Sequence, residues 1–106
     1  MSGLFDLEPL RNAPFIKDDL ALDASAAANL SPLCHRPATD APLYNAVGGK
    51  ESAEFKRQSR EFEAKWKSVF RRNIAMPDDN HLSLCDKLGD ASSPLFAGAL
   101  EMMGLR

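Results

Sequence analysis

Two side chains in this sequence carry chemistry in a suggestive order: Glu51, which follows the glycine pair of "AVGGKE", and His81, which ends "PDDNH". A histidine whose ring nitrogen is held by a carboxylate keeps one tautomer, and its imidazolium is stabilised once it accepts a proton. A general base beside a nucleophile needs both properties. Glu51 and His81 would then form two-thirds of a catalytic triad. Each also has a plainer reading: Glu51 as a helix N-terminal acid favoured by the macrodipole, and His81 as a surface loop histidine. Spacing along the chain leaves both readings open.

Other reactive groups are weaker. Cys34, His35, His81 and Cys85 are zinc-type donors, but Cys34 and His35 are adjacent, whereas paired zinc ligands are usually separated by about two to four residues. No metal and no cofactor is expected. Cys34 beside His35 is no better as a nucleophile–base pair, because sequence neighbours on an extended chain point apart. Without a secretory pattern the two cysteines read as buried free thiols rather than a disulfide.

The elements that must position Glu51 and His81 can be traced outward. "PLYNAV", Pro42 to Val47, is nearly continuously apolar and suits a strand buried on both faces of a parallel sheet, with Asn45 as its one awkward residue. Gly48 and Gly49 are expected to end it in a tight turn that uses positive φ. Ser52 can cap a helix in which Phe55, Ser59, Phe62, Trp66, Val69 and Phe70 recur at steps of three or four. Arg57 with Glu61, Glu61 with Lys65, and Glu63 with Lys67 sit four apart on its other faces. "RRNIAM" is a weaker second strand, and "PDDNH" a polar loop. "LSLCDKL" would be a short helix with Leu84, Cys85 and Leu88 on one side, stopping at Gly89. The last helix starts at Ser93 and Pro94, ends at Gly104, and buries Leu95, Phe96, Ala99, Leu100 and Met103. Before Pro42 the prolines break the pattern, and only "DDLALDASAAANL" can hold one or two short helices, capped by Asp18 or Asp23. Strand, loop, helix, strand, loop and helices in this order predict an α/β fold. Glu51 and His81 then fall in loops at the carboxyl ends of parallel strands, where such sheets bind ligands.

The totals exclude several classes. With 106 residues, 44% hydrophobic and 26% charged, the chain falls in the range of one soluble domain. A net charge of -2 offers no whole-molecule attraction to phosphate backbones or anionic membranes. "KRQSR" reads as a solvated helix face rather than a nucleic-acid site. No run approaches a membrane span, and a cytoplasmic location is expected.

"SGLFDLEPL", "LSPL", "AVGGKESAEFKRQSREFEAKW" and "NHLSLCDKL…SSPLF" resemble, in order and interval, the C-terminal portion of α/β-hydrolases of the arylformamidase (kynurenine formamidase) type, close to the hormone-sensitive-lipase-like esterases. The resemblance implies one segment, 1–106, of an α/β-hydrolase fold with two or three parallel strands, flanking helices and an incomplete sheet. Residues 1–41 would hold a strand end and cap-like helices, and 42–106 the acid- and histidine-bearing βα units. It also implies that Glu51 is the catalytic acid, where the family more usually has Asp, and His81 the catalytic base. The substrates would be small esters or N-formyl aromatic amides. No serine here lies in the G-x-S-x-G elbow of that fold. The expectation is therefore a hydrolase fragment, inactive alone, whose partner is the missing N-terminal half or a second copy of itself. A competing expectation is a non-catalytic interaction module or self-associating domain that docks through Phe55, Phe62 and Trp66.

Overall fold

The apolar run after Pro42 forms strand β1, Leu43–Gly48, and "FRRNIAM" forms β2, Phe70–Met76. The computed structural model describes residues 1–105. The strands pair in parallel, Ala46 beside Ile74 and Gly48 beside Met76, after one irregularity at Leu43/Tyr44. Between them runs helix α3, Ala53–Lys65; helix α4, His81–Lys87, and helix α5, Pro94–Met102, follow β2. This is a mixed α/β fold built on a two-stranded parallel sheet with flanking helices.

Because strand side chains alternate between faces, β1 has helices on both. Ala46 joins Ile74, Met76, Leu84 and Leu95 in the core under α4 and α5. Asn45 points the other way, at α3, where its Nδ2 donates to Ser59 Oγ at 2.7 Å and Glu63 Oε1 at 3.1 Å. An amide in a buried strand is thus hydrogen-bonded by the polar side of the neighbouring helix, which removes the cost of burying it. Gln58, also on α3, is 1% exposed.

Ser52 caps α3 by accepting from Phe55 N–H. The helix ends at Lys65, so Val69 lies in the turn and Phe70 opens β2, and the expected apolar stripe is shorter than its periodicity suggested. Its Phe62 and Trp66 are covered by the N-terminal segment. Phe5 stacks flat on Phe62 with centroids 3.9 Å apart, and Trp66 Nε1 donates to Pro32 O. Of the three expected ion pairs only Arg57–Glu61 forms among the described residues. Arg57 also holds Asp6 and Glu54, and the guanidinium keeps the Glu54 carboxyl down at about 2. Glu63 instead turns to Asn45 and Asn73.

The N-terminal third has two short helices as expected, α1 (Lys17–Leu20) and α2 (Ala24–Leu30), the second capped by Asp23. Asp18 is no cap, since it sits inside the first turn of α1. Two 3₁₀ turns, Glu8–Asn12 and Pro32–Cys34, have in their first two residues prolines, Pro9 and Pro32, that the sequence marked only as breaks. Among the described residues no strand precedes Leu43; the segment around Ser2 instead touches β1 through the bond from Ser2 N–H to Ala46 O at 2.8 Å. Ser93 caps α5 and Gly104 follows it at φ 73, but Gly98 rather than Met103 joins Leu95 on the buried face. Cys34 and Cys85 are free and exposed, not buried. Cys85 and Leu88 face outward because α4 is only two turns long and buries Leu84 alone.

The surface is larger than a closed domain of this size would have. Accessible area is 6691 Å², against about 5,800 Å² for a monomer of this length. The radius of gyration is 15.0 Å, against about 13 Å. Among the described residues no helix is long and apolar enough to cross a membrane.

Candidate active site

Glu51 stands three residues beyond the end of β1 and His81 five beyond the end of β2, on the same edge of the sheet because the strands are parallel. His81 is not in the loop itself but is the first residue of α4. Asn80 caps that helix reciprocally: its side chain accepts from the Leu82 and Ser83 N–H groups, while Ser83 Oγ accepts from Asn80 N–H. Ser83 Oγ donates in turn to Asp79, 8% exposed. The histidine therefore projects from a helix start whose backbone is held on both sides.

The two loops are laced together. Gly49 N–H donates to Met76 O at 2.8 Å and Lys50 N–H to Asp79 O at 3.0 Å. A Cβ on Gly48 would fall on the Asp79 carbonyl, and one on Gly49 on the Pro77 backbone. The glycine pair is required for this close approach. Neither glycine has positive φ, which among the described glycines occurs only at Gly104, so the expected left-handed turn is replaced by crowding between loops.

In this setting the Glu51 side chain is fully buried and that of His81 is 53% exposed. Glu51 Oε1 lies 2.8 Å from His81 Nδ1. An ionised carboxylate can only accept, so the proton of this bond resides on Nδ1. Oε2 accepts two more bonds, from the Gly48 N–H and the Ser2 hydroxyl, both at 2.5 Å. Burial pushes the Glu51 carboxyl up, but the Ser2, Gly48 and His81 bonds together outweigh it and hold it below its ordinary value. Glu51 is therefore charged at neutral pH. The Phe55 ring lies against the imidazole, centroids 4.6 Å apart, and Nε2 has no hydrogen-bond partner among the described residues. Lys50, Phe55, Asn80 and Leu82 complete an open depression of about 370 Å³ around the pair.

No protein-family model, curated protein or solved structure matches this chain. The site's own chemistry must therefore carry its reading. Glu51 and His81, singled out in the sequence, are brought together. Cys34, His35 and Cys85 are not joined to them in a donor set: His35 Nε2 bonds the Asn29 carbonyl, and no group of three or more His, Cys, Asp or Glu side chains that could hold a metal occurs among the described residues. Ser2 was not anticipated, because nothing local marks a serine 49 positions upstream as a partner of the acid. Its hydroxyl donates to the acid, not to the base, so Ser2 is not placed as a nucleophile.

Proposed function

We propose that this chain is the acid- and histidine-bearing C-terminal portion of a serine hydrolase of the α/β-hydrolase type, with activity of the arylformamidase and esterase class on small esters or N-formyl aromatic amides. The observation that carries the reading is the 2.8 Å bond between Glu51 Oε1 and His81 Nδ1, with acid and base at the carboxyl ends of adjacent parallel strands. In this role Glu51 fixes the Nδ1–H tautomer and stabilises the imidazolium. The free Nε2 then takes the proton of a serine hydroxyl as that oxygen attacks the carbonyl, and returns it to the leaving alcohol or amine. The resulting acyl-enzyme is hydrolysed by water activated at the same nitrogen. The serine elbow and oxyanion donors come from a partner segment, and the chain alone lacks the electrostatic stabilisation on which acyl transfer most depends.

The partly uncovered edge of β1 supports such a partner. Alternation in the parallel ladder directs the amides of Tyr44, Ala46 and Gly48 away from β2; Gly48 N–H is taken by Glu51 and Ala46 O by Ser2 N–H, which leaves the Tyr44 and Ala46 amides without a bond among the described residues. Beside that edge lies an apolar groove of about 230 Å³ lined by Met1, Tyr44, Ala46, Ile74, Leu95 and Met102. Unpaired strand groups next to apolar surface are where a further strand of the same sheet would dock.

The test is hydrolysis of 4-nitrophenyl acetate by the purified chain alone and when co-expressed with an N-terminal hydrolase half that carries G-x-S-x-G. The chain alone should show no rate that His81→Ala removes, and the complex should show one lost in both His81→Ala and Glu51→Ala. A His81-dependent rate from the chain alone, or a folded complex with none, would overturn the proposal.

A further inference from the structure

Ser2 lies outside both βα units yet touches the buried acid, and its backbone is held in an unusual conformation to do so. Its φ is 39°, in the left-handed region that non-glycine residues rarely adopt. Its N–H donates to Ala46 O on the free edge of β1 at 2.8 Å, and its Oγ donates to Glu51 Oε2 at 2.5 Å. In this left-handed conformation Ser2 makes both bonds, one to β1 and one to the acid.

Glutamate needs such a hold. With one methylene more than aspartate it has an additional torsion, and a carboxylate pinned at one oxygen by one donor can still swing the other oxygen away from its partner. Here the donors are divided. Gly48 N–H and Ser2 Oγ both converge on Oε2, while Oε1 receives only His81 Nδ1. Two donors from different parts of the chain fix the plane of the carboxylate, and the remaining oxygen then faces the imidazole.

We infer that Ser2 is the positioning residue of the Glu51–His81 pair, its hydroxyl setting the rotation of the Glu51 carboxylate and through it the tautomer of His81. For its catalytic consequence this rests on the hydrolase reading; the positioning itself does not. Among the described residues Ser2 makes no hydrogen bond to the imidazole, so it acts through Glu51. The same logic explains why a chain with Glu at the acid position can hold the pair with short geometry: the added side-chain freedom is removed by a serine supplied from the N-terminal segment.

The test is the tautomer of His81, read from ring ¹⁵N shifts of the histidine-labelled chain at about pH 9, above the ordinary histidine range, with His81→Ala used to separate it from His35. Two variants remove the strong donor in different ways. Ser2→Gly relieves the left-handed backbone, and Ser2→Cys preserves the shape but leaves a weak donor. The wild type should be predominantly Nδ1–H, and both variants should lose that preference while remaining folded by amide spectra. A purely structural Ser2 would change stability but not the tautomer. Retention of the wild-type tautomer in both variants overturns the positioning role, as does a wild type that is already Nε2–H. If the variants shift the tautomer while the complemented complex shows no His81-dependent hydrolysis, the hydrolase reading fails and the role of Ser2 stands.

Discussion

Glu51 Oε2 accepts the Gly48 N–H, so the acid is tied to the last residue of the strand that presents it. The bond closes the β1–α3 turn on itself and leaves the opposite carboxylate oxygen for His81. Glu51→Gln should therefore invert the pair rather than simply loosen it. The Ser2 and Gly48 donors will draw the amide oxygen to their side and turn the NH₂ toward His81 Nδ1, which must then accept. The expected result is an Nε2–H tautomer in the ¹⁵N spectrum and loss of base function in the complemented complex, as when the acid of a triad is replaced by its amide. An unchanged Nδ1–H tautomer would show that Oε2 does not control the orientation.

Stability should fall in acid through this same residue. Glu51 titrates lower in the folded chain than its ordinary 4.5, so the unfolded state binds more protons and stability rises with pH in that range. The contribution is complete above about pH 4.5 and disappears as pH falls through the folded value. Urea midpoints at pH 7 and at progressively lower pH should drop in the wild type and drop less in Glu51→Gln. Parallel curves for the two proteins would remove Glu51 as the cause.

Gly48→Ala should cost about 1–3 kcal/mol in urea unfolding, because its Cβ would meet the Asp79 backbone carbonyl, which cannot move without displacing the loop that leads into α4. Gly89→Ala is the control, since its Cβ would make only an ordinary 3.6 Å contact with Asp86 O. Equal midpoints for the two variants would mean that the loops are not packed as closely as described.

Gln58 should behave as a core residue despite its polarity. Its Oε1 accepts from the Phe5 and Asp6 N–H groups at 2.8 and 3.0 Å. Gln58→Leu leaves both amides without a partner at a cost of about 2–4 kcal/mol, and hydrogen exchange at Phe5 and Asp6 should accelerate. Full protection at those amides would show that the N-terminal segment is held otherwise.

Both thiols are exposed, and a disulfide reagent such as Ellman's should titrate Cys34 and Cys85 in the native chain without denaturant. Reaction only after unfolding would restore the buried-thiol expectation.

Much of the local architecture was legible because its causes are local. Asp23, Ser52 and Ser93 cap the helices they precede, and Pro94 opens α5, through contacts within one turn of chain. The apolar run at Leu43–Gly48 and the order of elements were enough to place Glu51 and His81 beyond the ends of parallel strands. Residue chemistry, their placement and the family resemblance nominated them, while spacing left the helix-terminal acid and the surface histidine as open readings. Only the tertiary structure shows that the two side chains meet, because that depends on a 2.8 Å approach between residues 30 apart in sequence. The same holds for the crowding that requires Gly48 and Gly49, the amides that make Gln58 a buried residue, and the hydroxyl of Ser2 on the acid. Hydrogen bonds between distant segments leave no periodicity and no cap signature. They exist only once the sheet and its two loops have brought their donors and acceptors together.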